Sequence, residues 1–342
     1  MKIYVKTFGC NLNKRDSENI KGVLQEAGFV LTNEEKADVI IVNSCGVKAK
    51  TQSRVISYIN KHKKDVYVGG CLPRMLDLKE RCNAKGYFDT NSILKIAEQI
   101  RDERLESFSN KKENRLNQPL VRTYKDIMII PISEGCLGNC NYCSTKLARG
   151  NLKSYTIKDI IKEVKNNGFE TLYLTSQDCG CYGLDIGTNL VELLEAIISV
   201  DKEFKIRVGM MNPEHVLPML DPLIALYKHE KVIKFIHIPV QSGSDKVLKD
   251  MGRKYTVAEF KKIVKKFRKV EGLHISTDII AGYPTESEQD FEKTKELLTW
   301  LKPHVLNLSK FGSRPNTAAA KLKPLSSQEV KKRSKEIKLK FL

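Results

Sequence analysis

Long apolar runs are absent from this chain of 342 residues. A helix that spans a membrane needs roughly 18 to 20 consecutive apolar residues, and no window of the sequence provides them. The N-terminus begins directly on the strand-like residues 2–8 (KIYVKTF), without the basic and apolar regions of a signal peptide. We therefore expect no membrane span and no secretion, and we predict a cytoplasmic protein.

Internal repeats and low-complexity tracts are absent as well, and the chain has one tryptophan. The composition is otherwise that of an ordinary globular protein, and the length is sufficient for two domains with large cores. Nine cysteines occur without a secretory signal. In a reducing compartment such cysteines act as ligands or remain free thiols, so we do not expect a disulfide framework.

Acidic residues are fewer than basic ones: the chain has 41 aspartates and glutamates and 59 lysines and arginines, which gives a formal charge of +18. The excess is uneven: residues 251–342 contain 21 basic and 10 acidic residues. A strongly basic protein suggests a polyanionic partner, most often nucleic acid. A solvated lysine-rich surface would give the same count, so charge alone leaves both interpretations open.

One segment concentrates three cysteines in a C-x-x-x-C-x-x-C spacing: Cys136, Cys140 and Cys143. The apolar run 127–132 before them predicts a buried strand, so the cysteines lie on the loop that leaves it. Thiolates select soft partners, mainly zinc and iron–sulfur clusters. A structural zinc site needs four protein ligands, and the next cysteine and histidine lie far along the chain, at Cys179 and His215. Three thiolates on a [4Fe–4S] cluster would leave one iron free for another ligand.

The first hundred residues alternate short apolar strands with amphipathic helices, which predicts an open parallel α/β sheet. We expect strands at 3–8, 38–43, 65–68 and 86–88, and helices at 16–27, through 55–59 and at 92–105. The first helix is expected to begin with Asp16 as its N-cap and to stop at Gly28. Residues 101–125 are charged and polar, which is typical of a helix end followed by a linker.

Three further cysteines follow the first three predicted strands: Cys10, Cys45 and Cys71. Ligands of open α/β sheets bind outside the carboxyl ends of the strands, so three cysteines at one sheet edge would converge. Neighbouring glycines, such as Gly9 and Gly70, allow the backbone to approach closely. This topology predicts a second three-thiolate cluster site. The alternative is three unrelated buried cysteines, since cysteine is among the most buried residue types.

From residue 125 onward the βα alternation resumes. Strands are expected at 126–132, 170–175, 204–209, 233–238, 273–279 and 303–309, with helices at 156–167, 189–199, 214–227 and 287–299. Six such units predict a partial (β/α)6 barrel, whose active site lies at the carboxyl ends of the strands. Polar motifs follow all six strands, including Gln177-Asp178 after the second and Gln241-Ser242 after the fourth.

The segment 131–150 (PISEGCLGNCNYCSTKLARG) resembles the radical S-adenosylmethionine enzymes. The segments TFGCNLNKRDSEN, VNSCGVKAKTQSR and VGGCLPRM resemble the N-terminal domain of the methylthiotransferases of that class, and the similarity extends over essentially the whole chain. The segment TSQDCGCYGLDIGTNL is most similar to the archaeal and eukaryotic branch, which acts on N6-threonylcarbamoyladenosine in tRNA. Family members normally continue into a small RNA-binding domain called TRAM. We expect no such domain within these 342 residues, and both a shortened chain and a naturally short protein would account for that.

The resemblance implies two [4Fe–4S] clusters and S-adenosylmethionine as cofactors. The implied cluster ligands are Cys10, Cys45 and Cys71 for an auxiliary cluster, and Cys136, Cys140 and Cys143 for the catalytic one. The residues implied to line the S-adenosylmethionine and substrate cavity are Tyr142, Gln177, Asp178, Arg207, Gln241, Ser242 and Asp278. His237 is expected to be structural, Cys82 to be a buried thiol on a helix, and Cys179 and Cys181 to be incidental.

The implied reaction is 2-methylthiolation of N6-threonylcarbamoyladenosine beside the anticodon, through a 5′-deoxyadenosyl radical that removes hydrogen from C2 of the adenine. The alternatives are methylthiolation of another tRNA adenosine or of a protein side chain, and a zinc-bound RNA-binding module without catalysis. The expected partners are a tRNA anticodon loop and an electron donor such as a flavodoxin or ferredoxin, while the sulfur source is left open. The expected domains are an auxiliary-cluster domain (1–110), a linker (111–124), the radical S-adenosylmethionine barrel (125–325) and a basic C-terminal helix (326–342).

Overall fold

A computed structural model describes all 342 residues of the chain. The chain divides into two compact units. The first comprises Met1–Gly135 and Ser144–Thr175, and the second comprises Cys136–Cys143 and Ser176–Leu342. No helix in either unit is both long enough and apolar enough to cross a membrane.

The first unit contains a six-stranded sheet in which each strand is parallel to its neighbours, in the order β2-β1-β3-β4-β5-β6. Its strands are β1 (Lys2–Thr7), β2 (Val30–Leu31), β3 (Val39–Ser44), β4 (Asp65–Gly70), β5 (Gly86–Phe88) and β6 (Glu106–Ser107). Its helices are α1 (Asn11–Glu26), α2 (Ala49–Asn60), α3 (Leu72–Met75) and α4 (Ile96–Arg101). The predicted open parallel sheet is therefore confirmed, and only its two short edge strands, β2 and β6, were not predicted.

Both faces of this sheet are covered, as the continuous apolar strands require. Successive residues of a strand point to opposite faces. Ile41 of β3 accordingly packs in a cluster with Ile20 of α1, whereas the adjacent Ile40 packs on the other face with Val55 of α2. Strands buried on both faces are typical of parallel sheets flanked by helices.

The first helix begins earlier than predicted. α1 starts at Asn11, directly after Cys10, so the prediction that Asp16 is its N-cap is wrong. Asp16 lies in the second turn, and its side chain is fully buried among arginines. An aspartate before an amphipathic pattern is usually a cap. The arginines that pair with Asp16 lie far along the chain, so the sequence around Asp16 does not indicate that it is buried.

The first unit also contains the elements around the cysteine loop. Strand β7 (Ile127–Pro131) pairs in parallel with β10 (Thr171–Thr175), and the short strands β8 (Ser133–Glu134) and β9 (Lys153–Ser154) pair antiparallel. Helix α5 (Thr145–Arg149) follows the loop, and α6 (Ile157–Asn166) precedes β10. The side chain of Thr156 caps α6 by accepting a hydrogen bond from the backbone N–H of Asp159.

The second unit continues the βα alternation. Its helices are α7 (Leu190–Ile198), α8 (Pro213–Val216), α9 (Leu220–Lys228), α10 (Asp245–Asp250), α11 (Val257–Phe267), α12 (Glu288–Leu301) and α13 (Ser327–Phe341). Its strands are β11 (Lys205–Val208), β12 (Phe235–His237), β13 (His274–Ala281) and β14 (Val305–Lys310). The last three form a parallel sheet in the order β12-β13-β14.

Three local predictions need correction. The helix expected at 92–105 is reduced to a 3₁₀ turn at Ile93–Lys95 and α4. The helix expected at 214–227 is divided into α8, a 3₁₀ turn and α9, because Pro218 cannot donate the backbone hydrogen bond that a continuous helix requires. Cys82 is buried as expected, but it lies in an irregular segment between α3 and β5, not on a helix.

Candidate active site

Cys10, Cys45 and Cys71 follow β1, β3 and β4, three adjacent strands of the six-stranded sheet, and they lie together at its carboxyl edge. Cys10 is exposed, whereas Cys45 and Cys71 are buried. The side chain of Asn13 lies beside two of them, Cys10 and Cys71. Its Oδ1 lies 3.9 Å from Sγ of Cys10 and 3.8 Å from Sγ of Cys71. Its Nδ2 donates to the carbonyl oxygens of Phe8 and Ser44, which fixes the amide against both strand ends.

Two glycines make this convergence possible. Gly9 has φ of +117°, and a Cβ atom there would lie 2.8 Å from Cβ of Cys45. Gly70 has φ of +87°, and a Cβ atom there would lie 2.4 Å from Oδ1 of Asn43. Left-handed backbone is accessible to glycine without strain, and both positions lack room for any side chain. The glycines directly before Cys10 and Cys71 therefore allow the close backbone approach that brings these two cysteines to the site.

A buried charge network lies beside this triplet. Arg149, at the end of α5, donates from Nη2 to Oδ1 of Asn13 at 2.9 Å and to Oδ2 of Asp16 at 2.5 Å. Arg115 pairs with Asp16 and with Glu134. Arg15 pairs with Glu163 at 2.5 Å. All three arginines and their three carboxylate partners are fully buried, and unpaired charges there would be very costly.

The network places a permanent positive charge beside the thiols. Burial raises the pKa of the Cys71 thiol to about 11, and the neighbouring Arg149 guanidinium opposes that rise. Cluster ligands must be thiolates, and a bound metal centre removes their protons. Three convergent thiols with a buried cation nearby match the needs of an anionic iron–sulfur cluster, so the residues present fit the group that the resemblance implies.

The second triplet, Cys136, Cys140 and Cys143, lies on a loop of the second unit and is half-buried. Gly138 is central to it. Its backbone N–H donates to Sγ of Cys136 at 3.1 Å, and a Cβ atom at Gly138 would lie 3.2 Å from that sulfur and 3.8 Å from Sγ of Cys140. The N–H of Cys143 donates to the carbonyl oxygen of Cys140 at 3.0 Å, which tightens the turn. This donor set also fits a cluster.

A second group of residues surrounds Cys136. The ligand atoms of Cys136, Asp178 and Cys181 all lie within 4.8 Å of one another. A hydrogen bond from Cys181 lowers the pKa of the Cys136 thiol to about 7, against the opposing effect of burial. From the sequence alone, Cys181 is predicted to be incidental. The structure instead places it against a predicted cluster ligand, where no spacing rule would have found it.

Asp178 is buried, and its carboxylate has several partners within the second unit. Oδ1 accepts hydrogen bonds from the backbone N–H groups of Gly180 and Asn212, and Oδ2 pairs with Nδ1 of His215 at 2.7 Å. The neighbouring Gln177 is half-buried. Asp178 thus fixes the strand-end loop, and a direct contact with S-adenosylmethionine stays a prediction.

The remaining predicted cofactor contacts are spread through the second unit. Tyr142 packs against the apolar cluster of Val247, Met251, Tyr283 and Ala319. Gln241 has φ of +69°, and its backbone bonds to Asp278 and Ile280. Ser242 is fully buried and lies 3.4 Å from the hydroxyl of Thr294, which suits a structural role as well as the predicted one.

One face of the β12-β13-β14 sheet is open and polar. On this face Oδ1 of Asp278 accepts from Nε2 of His237 and from Nδ2 of Asn307, each at 2.8 Å. Phe235, also on β12, is half-buried and stacks under the guanidinium of Arg207 at 4.4 Å. Parallel sheets normally have both faces covered, so a half-exposed polar face is typical of a binding surface. Asn307 lies within the predicted sixth strand, 303–309, but no motif marks it there as a candidate site residue.

Comparison with known proteins defines the class. Residues 130–298 match the Radical SAM superfamily, and residues 2–90 match a family described as Uncharacterized protein family UPF0004. The solved structure of TsrM, a radical S-adenosylmethionine methyltransferase from Kitasatospora setae, has a TM-score of 0.65 at 14% identity and covers 93% of this chain and 74% of that chain. OxsB, a cobalamin-dependent S-adenosylmethionine radical enzyme, has a TM-score of 0.62 at 12% identity, with coverage of 98% and 56%. At such identity the likeness concerns the fold alone, and it confirms the predicted fold class. The match of residues 130–298 is what assigns the chain to the radical S-adenosylmethionine proteins.

Sequence relatives narrow the assignment. A probable threonylcarbamoyladenosine tRNA methylthiotransferase of Pyrococcus horikoshii is 42% identical over an alignment of 350 positions, which covers 98% of this chain and 82% of the relative. The probable enzyme of the same name from Methanocaldococcus jannaschii is also 42% identical, and the human threonylcarbamoyladenosine tRNA methylthiotransferase is 37% identical over 98% of this chain and 62% of its own. The chain belongs to the family of threonylcarbamoyladenosine tRNA methylthiotransferases.

Proposed function

We propose that this protein is a tRNA methylthiotransferase that adds a 2-methylthio group to N6-threonylcarbamoyladenosine beside the anticodon. The observation that carries the proposal is that Cys10, Cys45 and Cys71 lie together at one edge of the six-stranded sheet in the first unit, in addition to the cysteine loop of the second. A radical S-adenosylmethionine protein needs one cysteine triplet for the shared chemistry of its class. A second triplet fits a reaction that also has to deliver sulfur.

We assign the two cluster sites to the two triplets. When bound, the clusters and S-adenosylmethionine supply the electron, the radical and the sulfur that polar side chains cannot, because C2 of adenine carries neither an acidic proton nor a leaving group. The chain's own residues hold and shield these groups. Arg149 and Asn13 balance charge and fix geometry beside the first triplet, and the N–H of Gly138 supports Cys136 in the second.

The open face of β12-β13-β14 is the proposed binding surface for cosubstrate and substrate. Asp278, oriented by His237 and Asn307, presents a fixed acceptor there. Arg207, stacked on Phe235, supplies a cation suited to a carboxylate. The other proposed contacts of S-adenosylmethionine are those expected from the resemblance: Tyr142, Gln177, Asp178, Gln241 and Ser242.

The proposed substrate region is the anticodon loop, because an unpaired base can be splayed from a single-stranded loop at low cost. The basic excess in residues 251–342 favours RNA over a protein substrate. Binding to tRNA should then weaken steeply with salt, since phosphate contacts release counterions. The proposed reductant is a flavodoxin or ferredoxin, and the proposed location is the cytoplasm. We also propose the domains expected from the sequence: residues 1–110, a linker at 111–124, residues 125–325 and a C-terminal helix at 326–342.

Nucleoside mass spectrometry of tRNA tests the proposal. A strain that lacks the gene should accumulate N6-threonylcarbamoyladenosine and lose its 2-methylthio derivative. The wild-type gene should restore the derivative, and the Cys140→Ala variant should not. If the derivative persists in the deleted strain, the proposed substrate is wrong, and loss of another methylthio nucleoside would identify that nucleoside as the substrate. Zinc without labile sulfide in protein purified anaerobically would exclude the enzyme altogether.

A further inference from the structure

Arg253 lies against the cysteine loop of the second unit, and no motif or resemblance singled it out. Its Nη1 donates to Sγ of Cys140 at 3.2 Å. This contact joins residues 113 positions apart in the chain. A hydrogen bond from an ionised donor to a sulfur that becomes a thiolate is charge-assisted, and such bonds are about twice as strong as neutral ones.

The guanidinium is held in place by its other donors. Nε donates to the hydroxyl of Tyr255 at 3.0 Å, and Nη2 donates to Oδ1 of Asn212 at 2.9 Å. The hydroxyl of Tyr255 in turn donates to the carbonyl oxygen of Val240 at 2.9 Å. Because Tyr255 and Asn212 lie in separate segments of the second unit, the guanidinium group is held in one orientation. In this orientation Nη1 faces Sγ of Cys140.

The backbone before Arg253 also holds the cysteine loop, residues 136–143, in place. The N–H of Asn141 donates to the carbonyl oxygen of Met251 at 2.9 Å, and Nδ2 of Asn141 donates to that of Asp250 at 2.8 Å. Gly252 has φ of +73°, and a Cβ atom there would lie 3.0 Å from the carbonyl oxygen of Asn139. Loop position is therefore secured by the backbone without Arg253, so the guanidinium is available for an electrostatic role.

We propose that Arg253 is a positioning residue that sets the reduction potential of the cluster held by Cys136, Cys140 and Cys143. Arginine keeps its charge at any working pH. Reduction adds an electron to the cluster, and a fixed cation that donates to a ligand sulfur stabilises the more negative state. Hydrogen bonds to the sulfurs and net charge are known determinants of cluster potentials. Arg253 therefore makes the cluster easier to reduce by the electron donor.

The inference rests on the proposed cluster site, so the test distinguishes failure of the cluster site from failure of the role of Arg253. In a background with Cys10, Cys45 and Cys71 changed to alanine, only the cluster of the second unit can contribute to the signal. If this background protein binds no iron and sulfide after anaerobic reconstitution, the proposed cluster site fails before Arg253 is examined. If it binds them, its reduction midpoint can be measured by spectroelectrochemistry and by the electron paramagnetic resonance signal of the reduced cluster.

Arg253→Gln removes the positive charge. Arg253→Lys keeps a positive charge but loses the planar guanidinium group and its fixed set of donors. Lys254→Gln is the matched control, because it removes one positive charge from the adjacent, exposed residue. We expect normal iron and sulfide content in all three, a clearly more negative midpoint in Arg253→Gln, a smaller shift in Arg253→Lys and none in Lys254→Gln. Unchanged midpoints in both Arg253 variants would overturn the inference. Loss of the cluster from both, with Lys254→Gln intact, would also overturn it, since Arg253 would then be a structural support for the loop.

Discussion

Arg149 and Asp16 form a fully buried ion pair, with 2.5 Å between Nη2 and Oδ2, although the two residues are 133 positions apart in the chain. The same guanidinium group donates to Asn13, whose amide oxygen lies within 4 Å of the sulfurs of Cys10 and Cys71. The pair thus connects the end of α5 to the start of α1, at the edge of the sheet where the first cysteine triplet lies. It stabilises the first unit and also fixes the charge beside the thiols.

Replacing Arg149 with methionine should be strongly destabilising. Asp16 would lose a partner in a dry environment, and removal of one member of a buried ion pair typically costs about 3–5 kcal/mol. Urea unfolding of the cluster-free protein measures this cost. Arg104→Gln is the control, because Arg104 pairs with Asp102 on the surface, where such a pair is worth about 0–1 kcal/mol. A loss below about 1 kcal/mol in Arg149→Met would show that the network tolerates the unpaired carboxylate.

Stability should depend on pH through His62. Burial lowers the pKa of His62 below its ordinary 6.5, although Glu34 lies 3.2 Å away and opposes the shift. Between the folded-state pKa and 6.5 the unfolded chain binds more protons, so this histidine makes stability fall as pH falls through that window. Below the folded-state pKa the penalty is complete, and above 6.5 it is absent.

His62→Gln should flatten that part of the curve. Urea midpoints measured from pH 4.5 to 8 in the wild type and the variant isolate the contribution of His62 and its contact with Glu34, because every other titratable group is the same in both proteins. The wild type should lose more stability than His62→Gln on acidification from pH 7. Parallel curves would mean that the Glu34 contact dominates over burial and that the pKa is not lowered.

Substitutions in the two cysteine triplets should have different effects on the reaction. Cys140→Ala should lose one cluster and all cleavage of S-adenosylmethionine, because only the second unit carries the C-x-x-x-C-x-x-C loop. Cys45→Ala should also lose one cluster but should retain cleavage and stop thiolation. Iron and sulfide content, release of 5′-deoxyadenosine and nucleoside mass spectrometry give the three readouts. Equal loss of cleavage in both variants would contradict the division of labour between the triplets.

The residues that the sequence could predict are those whose placement follows from topology. Parallel strands with crossover helices bring their carboxyl ends to one edge, so the convergence of Cys10, Cys45 and Cys71 could be inferred from periodicity alone. The loop cysteines were found by their spacing. In both cases a local pattern or a general rule of chain connection carries the information.

The residues that were missed depend on contacts between distant segments. Asp16 looked like a helix cap, because its partners Arg115 and Arg149 are far away in the chain. Arg253 and Asn307 carry no spacing signal, and their roles emerge only where the fold places them beside Cys140 and Asp278. Burial of charge is a property of the assembled core, and a single sequence does not display which charged residues will pair there.

Gly70→Ala should selectively disturb the first triplet. Gly70 has φ of +87°, and an added Cβ atom would lie 2.4 Å from Oδ1 of Asn43 and 2.5 Å from the carbonyl oxygen of Ser44. Relief of these contacts has to move the strand end that carries Cys71. We expect the variant to retain cleavage of S-adenosylmethionine and to lose iron, sulfide and thiolation at the first triplet.

Gly28→Ala provides a matched control for that prediction. Gly28 has a similar φ of +84°, but an added Cβ atom would meet nothing within 4 Å. Both substitutions carry the left-handed backbone penalty of about 1–2 kcal/mol, and only Gly70→Ala adds steric overlap beside a thiol. Iron and sulfide analysis after anaerobic reconstitution should therefore give two clusters for Gly28→Ala and one for Gly70→Ala. Two clusters in both variants would show that the strand end can shift without displacing Cys71, and that the close approach at Gly70 serves packing of the sheet instead of the cluster site.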